Sequence, residues 1–80
     1  MYDDAALIKR VVDVDYIKDF TMQVEFNDGK TKVIDFYPLL KGKQFEPLKE
    51  RNNFIQFGLT DYTLEWYNGA EFSPEYLYAV

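Results

Sequence analysis

The segment FTMQVEFNDGKTKVIDF, residues 20–36, limits the fold most, because apolar and polar residues alternate along it. A period of two indicates a β-strand with one buried face. The alternation is interrupted by Asn27-Asp28-Gly29. Glycine accepts the positive φ that tight hairpin turns require. The segment therefore predicts two antiparallel strands joined by a tight turn.

Two loop lengths fit this hairpin, and they impose different registers. A two-residue loop would place Met22 opposite Asp35, whereas a three-residue loop over residues 27–29 places Met22 opposite Ile34. A slip of one residue would move the apolar set from the core to water. We therefore predict the three-residue loop, with Gly29 in the left-handed conformation. Its buried face then carries Phe20, Met22, Val24, Phe26, Ile34 and Phe36. Its solvent face carries Thr21, Gln23, Glu25, Thr31 and Asp35, with Val33 as the apolar exception.

The residues before the hairpin predict a third strand over residues 8–16, followed by a polar turn at Lys18-Asp19. Alternation places five of its residues on one face: Ile8, Arg10, Val12, Val14 and Tyr16. Its other face carries Lys9, Val11, Asp13 and Asp15. An antiparallel pairing with the next strand gives a three-stranded meander over residues 8–36.

Two prolines predict short helices after the meander, since proline suits the first turn of a helix. We place these helices at residues 37–41, around Pro38, and at residues 46–52, around Pro47. Four apolar residues of this region should cover the sheet: Leu39, Leu40, Phe45 and Leu48.

The last part of the sequence predicts a second hairpin and a helical turn. The hairpin over residues 54–67 has strands at 54–60 and 63–67, with Leu59 facing Leu64 and Phe57 facing Trp66. Apolar cross-strand pairs of this kind stabilise hairpins. Ser73 can cap a final helical turn, and Pro74 fills its first position.

These elements predict one α+β domain over residues 1–80, with a loose start at residues 1–7 and a small antiparallel sheet of about five strands. Aromatic residues are 19% of the sequence and supply large buried area for so short a chain.

Composition excludes several classes of function. The net charge of −5 disfavours direct binding to nucleic acid and to anionic membranes, which both attract basic surfaces. The sequence contains no His and no Cys, so the commonest general base, metal ligand and thiol chemistry are missing, and we expect no cofactor. The acidic N-terminus does not resemble a signal peptide, and no apolar run reaches ~20 residues, so we expect a cytoplasmic protein.

The candidate site residues are aromatic and acidic rather than catalytic. The best candidate is a partner-binding patch near the C-terminus, formed by Tyr62, Glu65, Tyr67, Glu71 and Tyr76. Tyrosine is common in recognition surfaces. The alternative interpretation is that these tyrosines are scattered and half-buried.

Other polar residues have plainer explanations. Asp13 and Asp15 share a strand face, but no calcium-binding loop surrounds them, which favours a solvated face. Ser73 lacks a histidine base, which favours the helix cap over a nucleophile.

The order of these motifs resembles the small bacterial family called domain of unknown function 2442. The resemblance spans about residues 8–78. The matching motifs are the Phe26–Gly29 turn, Ile34-Asp35, Pro-Leu-Leu at 38–40, the Trp66 strand, and GAEFSPEYLY at Gly69–Tyr78. The resemblance implies an α+β fold with an antiparallel sheet. It implies no activity and no catalytic residues.

The resemblance also bears on partners. Members of the family resemble stand-alone small proteins or are joined to a helix-turn-helix DNA-binding domain. Some are encoded beside another small protein, an arrangement similar to a toxin–antitoxin pair. This sequence has no helix-turn-helix, so any DNA binding would come from a partner.

Three hypotheses of function follow. The first is a non-enzymatic interaction or regulatory module that binds another protein, small and basic, as the antitoxin-like half of a pair. The second is a small-ligand or metal-dependent enzyme using Asp35, Glu65 or Glu71 in a carboxylate-lined pocket. The third is a homodimer through an open sheet edge, at the first or fifth strand.

Overall fold

The computed structural model of the chain describes residues 9–80 and has the predicted α+β architecture. The predicted loose start at residues 1–7, and Ile8, lie outside the described residues. The five strands are β1 (Val11–Lys18), β2 (Thr21–Phe26), β3 (Thr31–Asp35), β4 (Phe57–Leu59) and β5 (Leu64–Trp66). The two helices are α1 (Arg51–Phe54) and α2 (Pro74–Ala79), and short 3-10 turns span Tyr37–Leu39 and Glu46–Lys49.

The β2–β3 hairpin has the register that the alternation predicts. Met22 lies opposite Ile34, and the Phe36 N–H donates to the Phe20 carbonyl at 2.8 Å. Gly29 has a φ of 87°, the left-handed conformation that the three-residue loop requires. The predicted loop length and buried face are therefore confirmed.

Strand β1 pairs antiparallel with β2, but one of its predicted faces is wrong. Val11 is buried and Val12 is exposed, the reverse of the prediction. The cause is a β-bulge, since the register shifts by one residue between Val11 and Asp13. An extra residue inverts the alternation on one side of the bulge. Beyond it, Val14 and Tyr16 pack against the core as predicted.

The second hairpin forms a sheet of its own rather than extending the first. Leu59 pairs with Leu64 and Phe57 with Trp66, as predicted, but β4 is only three residues long because Phe54 belongs to α1. The two sheets are joined where the Val11 N–H donates to the Tyr62 carbonyl at 2.7 Å.

The core lies between the three-stranded sheet and the rest of the chain. Leu40 and Leu48 are fully buried against it, and Leu39 and Phe45 pack at its margin, as predicted. Trp66 is also buried, and its Nε1–H donates to the Phe54 carbonyl at 2.7 Å.

The helix predicted at 37–41 is a 3-10 turn over Tyr37–Leu39. The helix predicted at 46–52 is divided, because Glu50 is extended and separates the 3-10 turn at 46–49 from α1, which ends at Phe54. The cap of α2 is confirmed: Ser73 Oγ accepts from the Tyr76 N–H at 3.2 Å. None of the helices within residues 9–80 has the length and apolar character needed to cross a membrane.

Candidate protein-binding surfaces

One face of the three-stranded sheet packs on the core, and the other carries mostly polar side chains. We call the second the acidic sheet face. It is defined by the residues opposite or alternating with Glu25 on β2: Asp13, Asp15, Thr21, Gln23, Glu25, Thr31, Val33 and Asp35. Val33 is 64% exposed and is the apolar residue of this face, at the centre of the edge strand β3. In the described part of the chain, none of the side chains of this face belongs to the hydrophobic core cluster.

The carboxylates of the acidic sheet face are not balanced by cations. Asp13 lies directly opposite Glu25, and like charges in that position destabilise a strand pair. None of the ion pairs within residues 9–80 involves the four carboxylates of this face. One cation, Lys18, aligns with its end, opposite Thr21. A cationic partner would therefore gain attraction here and relieve repulsion.

The structure brings only part of the sequence-predicted patch together. Glu65 and Glu71 form a β-bridge, so these two carboxylates lie opposite each other beside β5. Tyr62, Tyr67 and Tyr76 are each about half exposed. Tyr62 precedes β5 and Tyr67 follows it, so four residues lie between the two tyrosines and a strand rise of about 3.3 Å per residue separates them along the chain.

Tyr76 differs from the other two tyrosines because its ring belongs to a stack. It lies on Phe72 at 5.7 Å between ring centroids, and Phe72 lies on Phe45 at 4.7 Å. Offset stacks of this kind stabilise aromatic packing. Tyr62 and Tyr67 make no ring contact with another aromatic side chain in the described part of the chain. Their role in binding stays a prediction.

A cluster at the tip of the β2–β3 hairpin holds helix α2. The Tyr78 hydroxyl donates to Asp28 Oδ2 at 2.7 Å, and the Lys9 ammonium lies 3.4 Å from the same oxygen and 3.8 Å above the Tyr78 ring. The Tyr78 hydrogen bond, followed by that from the Lys30 N–H, lowers the pKa of Asp28 to about 2. The same bond raises the pKa of Tyr78. These contacts have a structural role.

The residues of the enzyme hypothesis do not form a shared site. Asp35 lies on the acidic sheet face, whereas Glu65 and Glu71 belong to the other sheet. Residues 9–80 enclose no pocket, and no three acidic side chains among them converge to hold a metal ion. The carboxylate-lined concavity that this hypothesis predicts is not found in the described part of the chain.

Sequence reasoning placed the members of the acidic sheet face correctly but did not combine them. Alternation assigned Glu25 and Asp35 to the solvent side of the hairpin, and Asp13 and Asp15 to one face of the first strand. The antiparallel pairing of the two strands was predicted, but their register was not, because it depends on the bulge at Val12.

Comparisons with known proteins identify a family without adding an activity. The family model described as Protein of unknown function (DUF2442) matches residues 11–80. Searches of curated proteins and of solved structures found no match. Since the family match covers most of the sequence, the chain belongs to the DUF2442 family.

Proposed function

We propose that this DUF2442 protein is a non-enzymatic interaction module that binds a small basic protein in the bacterial cytoplasm, as the acidic, antitoxin-like half of a pair. The observation that supports the proposal is the acidic sheet face, which carries four carboxylates and has one cation, Lys18, aligned with its end. A flat sheet face that exposes Val33 among charges combines an apolar contact with electrostatic attraction.

The face alone is smaller than a stable interface. Three strands spaced about 4.8 Å apart, with about 3.4 Å per residue, give an area of only a few hundred Å². A standard interface buries about 800 Å² on each partner. The partner must therefore reach beyond the sheet. Two exposed aromatic residues flank it: Tyr62, whose carbonyl accepts from the Val11 N–H, and Tyr37, whose N–H donates to the Asp35 carboxylate at 3.1 Å.

The charge on the face sets how binding should depend on salt. Attraction between exposed charges speeds association and weakens as salt rises, because the Debye length falls from about 10 Å at 0.1 M to about 3 Å at 1 M. Binding by an acidic face should therefore weaken steeply with salt, whereas binding by the tyrosines alone should not.

The experiment is a tagged pull-down from the source cell, followed by direct binding to the partner that it identifies. The variant Asp13→Asn/Glu25→Gln removes two facing carboxylates and keeps side-chain shape. The control Glu50→Gln/Glu75→Gln makes the same charge change outside the three-stranded sheet.

We expect the pull-down to recover one basic protein at a constant ratio to the tagged protein. The first variant should bind it at least about tenfold more weakly, a difference of about 1.4 kcal/mol, and the control should bind like wild type. A partner that both variants bind equally, or whose binding does not depend on salt, would contradict the assignment to this face. Recovery of the protein alone would contradict the interaction module.

A further inference from the structure

The first edge of the three-stranded sheet is closed to another strand. On β1, the Val11 N–H donates to the Tyr62 carbonyl at 2.7 Å, and the Val14 N–H donates to the Asp13 carboxylate at 3.0 Å. The register with β2 also shifts near both ends of β1, at Val12 and at Ile17. Bulges and side chains that occupy edge amides are the means by which proteins prevent edge pairing.

Strand β5, the other edge expected from the sequence, is flanked on both sides. It pairs with β4, and its Trp66 N–H donates to the Ala70 carbonyl at 2.9 Å. The segment around Glu71 therefore covers the side of β5 that faces away from β4.

The opposite edge of the three-stranded sheet, on β3, is open. At the two ends of β3, the Lys30 carbonyl accepts from the Phe26 N–H, and the Phe36 N–H donates to the carbonyl of Phe20, the residue before β2. Antiparallel pairing alternates bonded and unbonded positions, so the backbone groups of Thr31, Val33 and Asp35 point away from β2. Among residues 9–80 these groups have no backbone partner. The strand has no register shift.

We propose that β3 pairs antiparallel with β3 of a second copy of the chain, about a two-fold axis at Val33. The open backbone groups of the two copies then meet, with Val33 opposite Val33 and Thr31 opposite Asp35. Each pair exchanges both of its N–H···O=C bonds. The two three-stranded sheets become one continuous sheet, and two exposed valines cover each other.

The sequence of β3 suits pairing with itself. Val33 is the central residue of a strand of five residues, so the two-fold axis leaves no residue unpaired. The pairing places a hydroxyl, from Thr31, opposite a carboxylate, from Asp35. On the core side it places Lys32 opposite Ile34, and the Lys32 ammonium is already held by carbonyl oxygens of its own α2, including that of Tyr78 at 2.8 Å.

The negative charge of the chain does not prevent this pairing. Across the axis, Asp35 of one copy lies about 14 Å along the strand from Asp35 of the other copy. It lies two strands, or about 10 Å, from Glu25 of the other copy. Both separations exceed the Debye length of about 8 Å at physiological ionic strength, so the repulsion is largely screened. An interface this small belongs to the class below about 1,200 Å², and we expect a dissociation constant in the micromolar range.

Sedimentation equilibrium tests the association, with Val33→Lys as the variant. It places two ammonium groups opposite each other at the axis, as edge lysines do in natural sheets. The matched control is Gln23→Lys, which adds the same charge in the same row but on the central strand β2. We expect wild type and Gln23→Lys to approach the dimer mass as concentration rises towards about 1 mM, well above a micromolar dissociation constant, and Val33→Lys to remain a monomer.

A second variant and an exchange measurement identify the edge. Val33→Pro removes an N–H that β2 does not use, so the fold should persist while the dimer is lost. In hydrogen exchange, the amides of Thr31, Val33 and Asp35 should gain protection with concentration, while Ile34 is protected throughout.

Wild type that remains a monomer at about 1 mM, far above a micromolar dissociation constant, would overturn the proposal, as would a dimer that Val33→Lys leaves unchanged. Protection of these amides only on addition of the basic partner would also overturn it and would assign the edge to that partner. None of these results depends on whether the acidic sheet face binds another protein.

Discussion

Trp66 joins the second hairpin to helix α1 through a single side-chain hydrogen bond. Its indole is buried among the rings of Phe36, Phe54 and Phe72, and its Nε1–H donates to the Phe54 carbonyl at 2.7 Å. The sequence predicted that Trp66 pairs with Phe57 but not its polar contact, because the acceptor is a backbone atom twelve positions earlier in the chain.

Trp66→Phe should therefore cost more than its loss of volume. The substitution leaves a small cavity and an unpartnered carbonyl on Phe54, and together these should lower the free energy of unfolding by about 2–4 kcal/mol. Urea unfolding measures the change, as a shift of the midpoint with an unchanged dependence of the free energy on urea concentration. Tyr67→Phe, at the exposed neighbouring position, is the control and should stay within about 0.5 kcal/mol of wild type. An equal loss in both variants would mean that burial of Trp66 is not the cause.

At the scale of the elements, helix α2 is held to the tip of the β2–β3 hairpin by the Tyr78–Asp28 hydrogen bond. The Tyr78 ring also contacts Phe26 edge-on at 4.9 Å. Since the pKa of Asp28 is lowered from 3.8 to about 2, its ionised form is favoured by folding. The resulting stability is present above pH 3.8 and disappears as the pH falls towards 2.

Tyr78→Phe removes the hydroxyl that lowers this pKa and keeps the ring. The variant should be less stable than wild type at pH 6, and the difference should shrink as the pH falls from 3.8 towards 2. Urea unfolding of both proteins across this range measures the difference. Tyr76→Phe, on the same helix, is the control, since its ring stacks on Phe72. A difference between wild type and Tyr78→Phe that does not change with pH would contradict this account.

The elements also show why sequence reasoning succeeded in one hairpin and failed in part of another strand. In β2–β3 the turn glycine and the alternation agree, so the register follows from residues close in sequence. In β1 the bulge at Val12 depends on pairing with a different strand, and local alternation assigned Val11 and Val12 to the wrong faces. The split into two sheets likewise depends on pairing between strands distant in sequence, which local alternation does not show.

At the scale of the whole molecule, surface features could also be predicted where they depend on residues close in sequence, and not where they depend on packing between elements. Outward positions on a regular strand could be predicted, and Glu25 and Asp35 were placed correctly on the solvent side. The grouping of Tyr62, Tyr67 and Tyr76 could not be predicted, since it depends on how β5 and α2 pack. The acidic sheet face is also a property of the assembled sheet, because its carboxylates come from three strands.

The fold keeps this face at a cost in stability, and that cost is measurable. Asp13 and Glu25 are directly opposed, so Asp13→Asn/Glu25→Gln should raise the free energy of unfolding by about 0.2–1 kcal/mol at low salt. The asparagine retains an oxygen for the Val14 N–H, so the local hydrogen bond is preserved. At about 1 M salt the gain should vanish, because screening already weakens the repulsion in wild type.

The control Glu50→Gln/Glu75→Gln removes the same number of negative charges. It therefore distinguishes the effect of the facing pair from the effect of total charge. If total charge were the cause, both variants would gain stability to the same extent; if the facing pair is the cause, only the first gains. A variant that is more stable yet binds the basic partner more weakly would show that binding, rather than folding, explains the paired carboxylates. Loss of stability in the first variant would instead mean that Asp13 and Glu25 support the sheet and that the acidic sheet face carries no cost in stability.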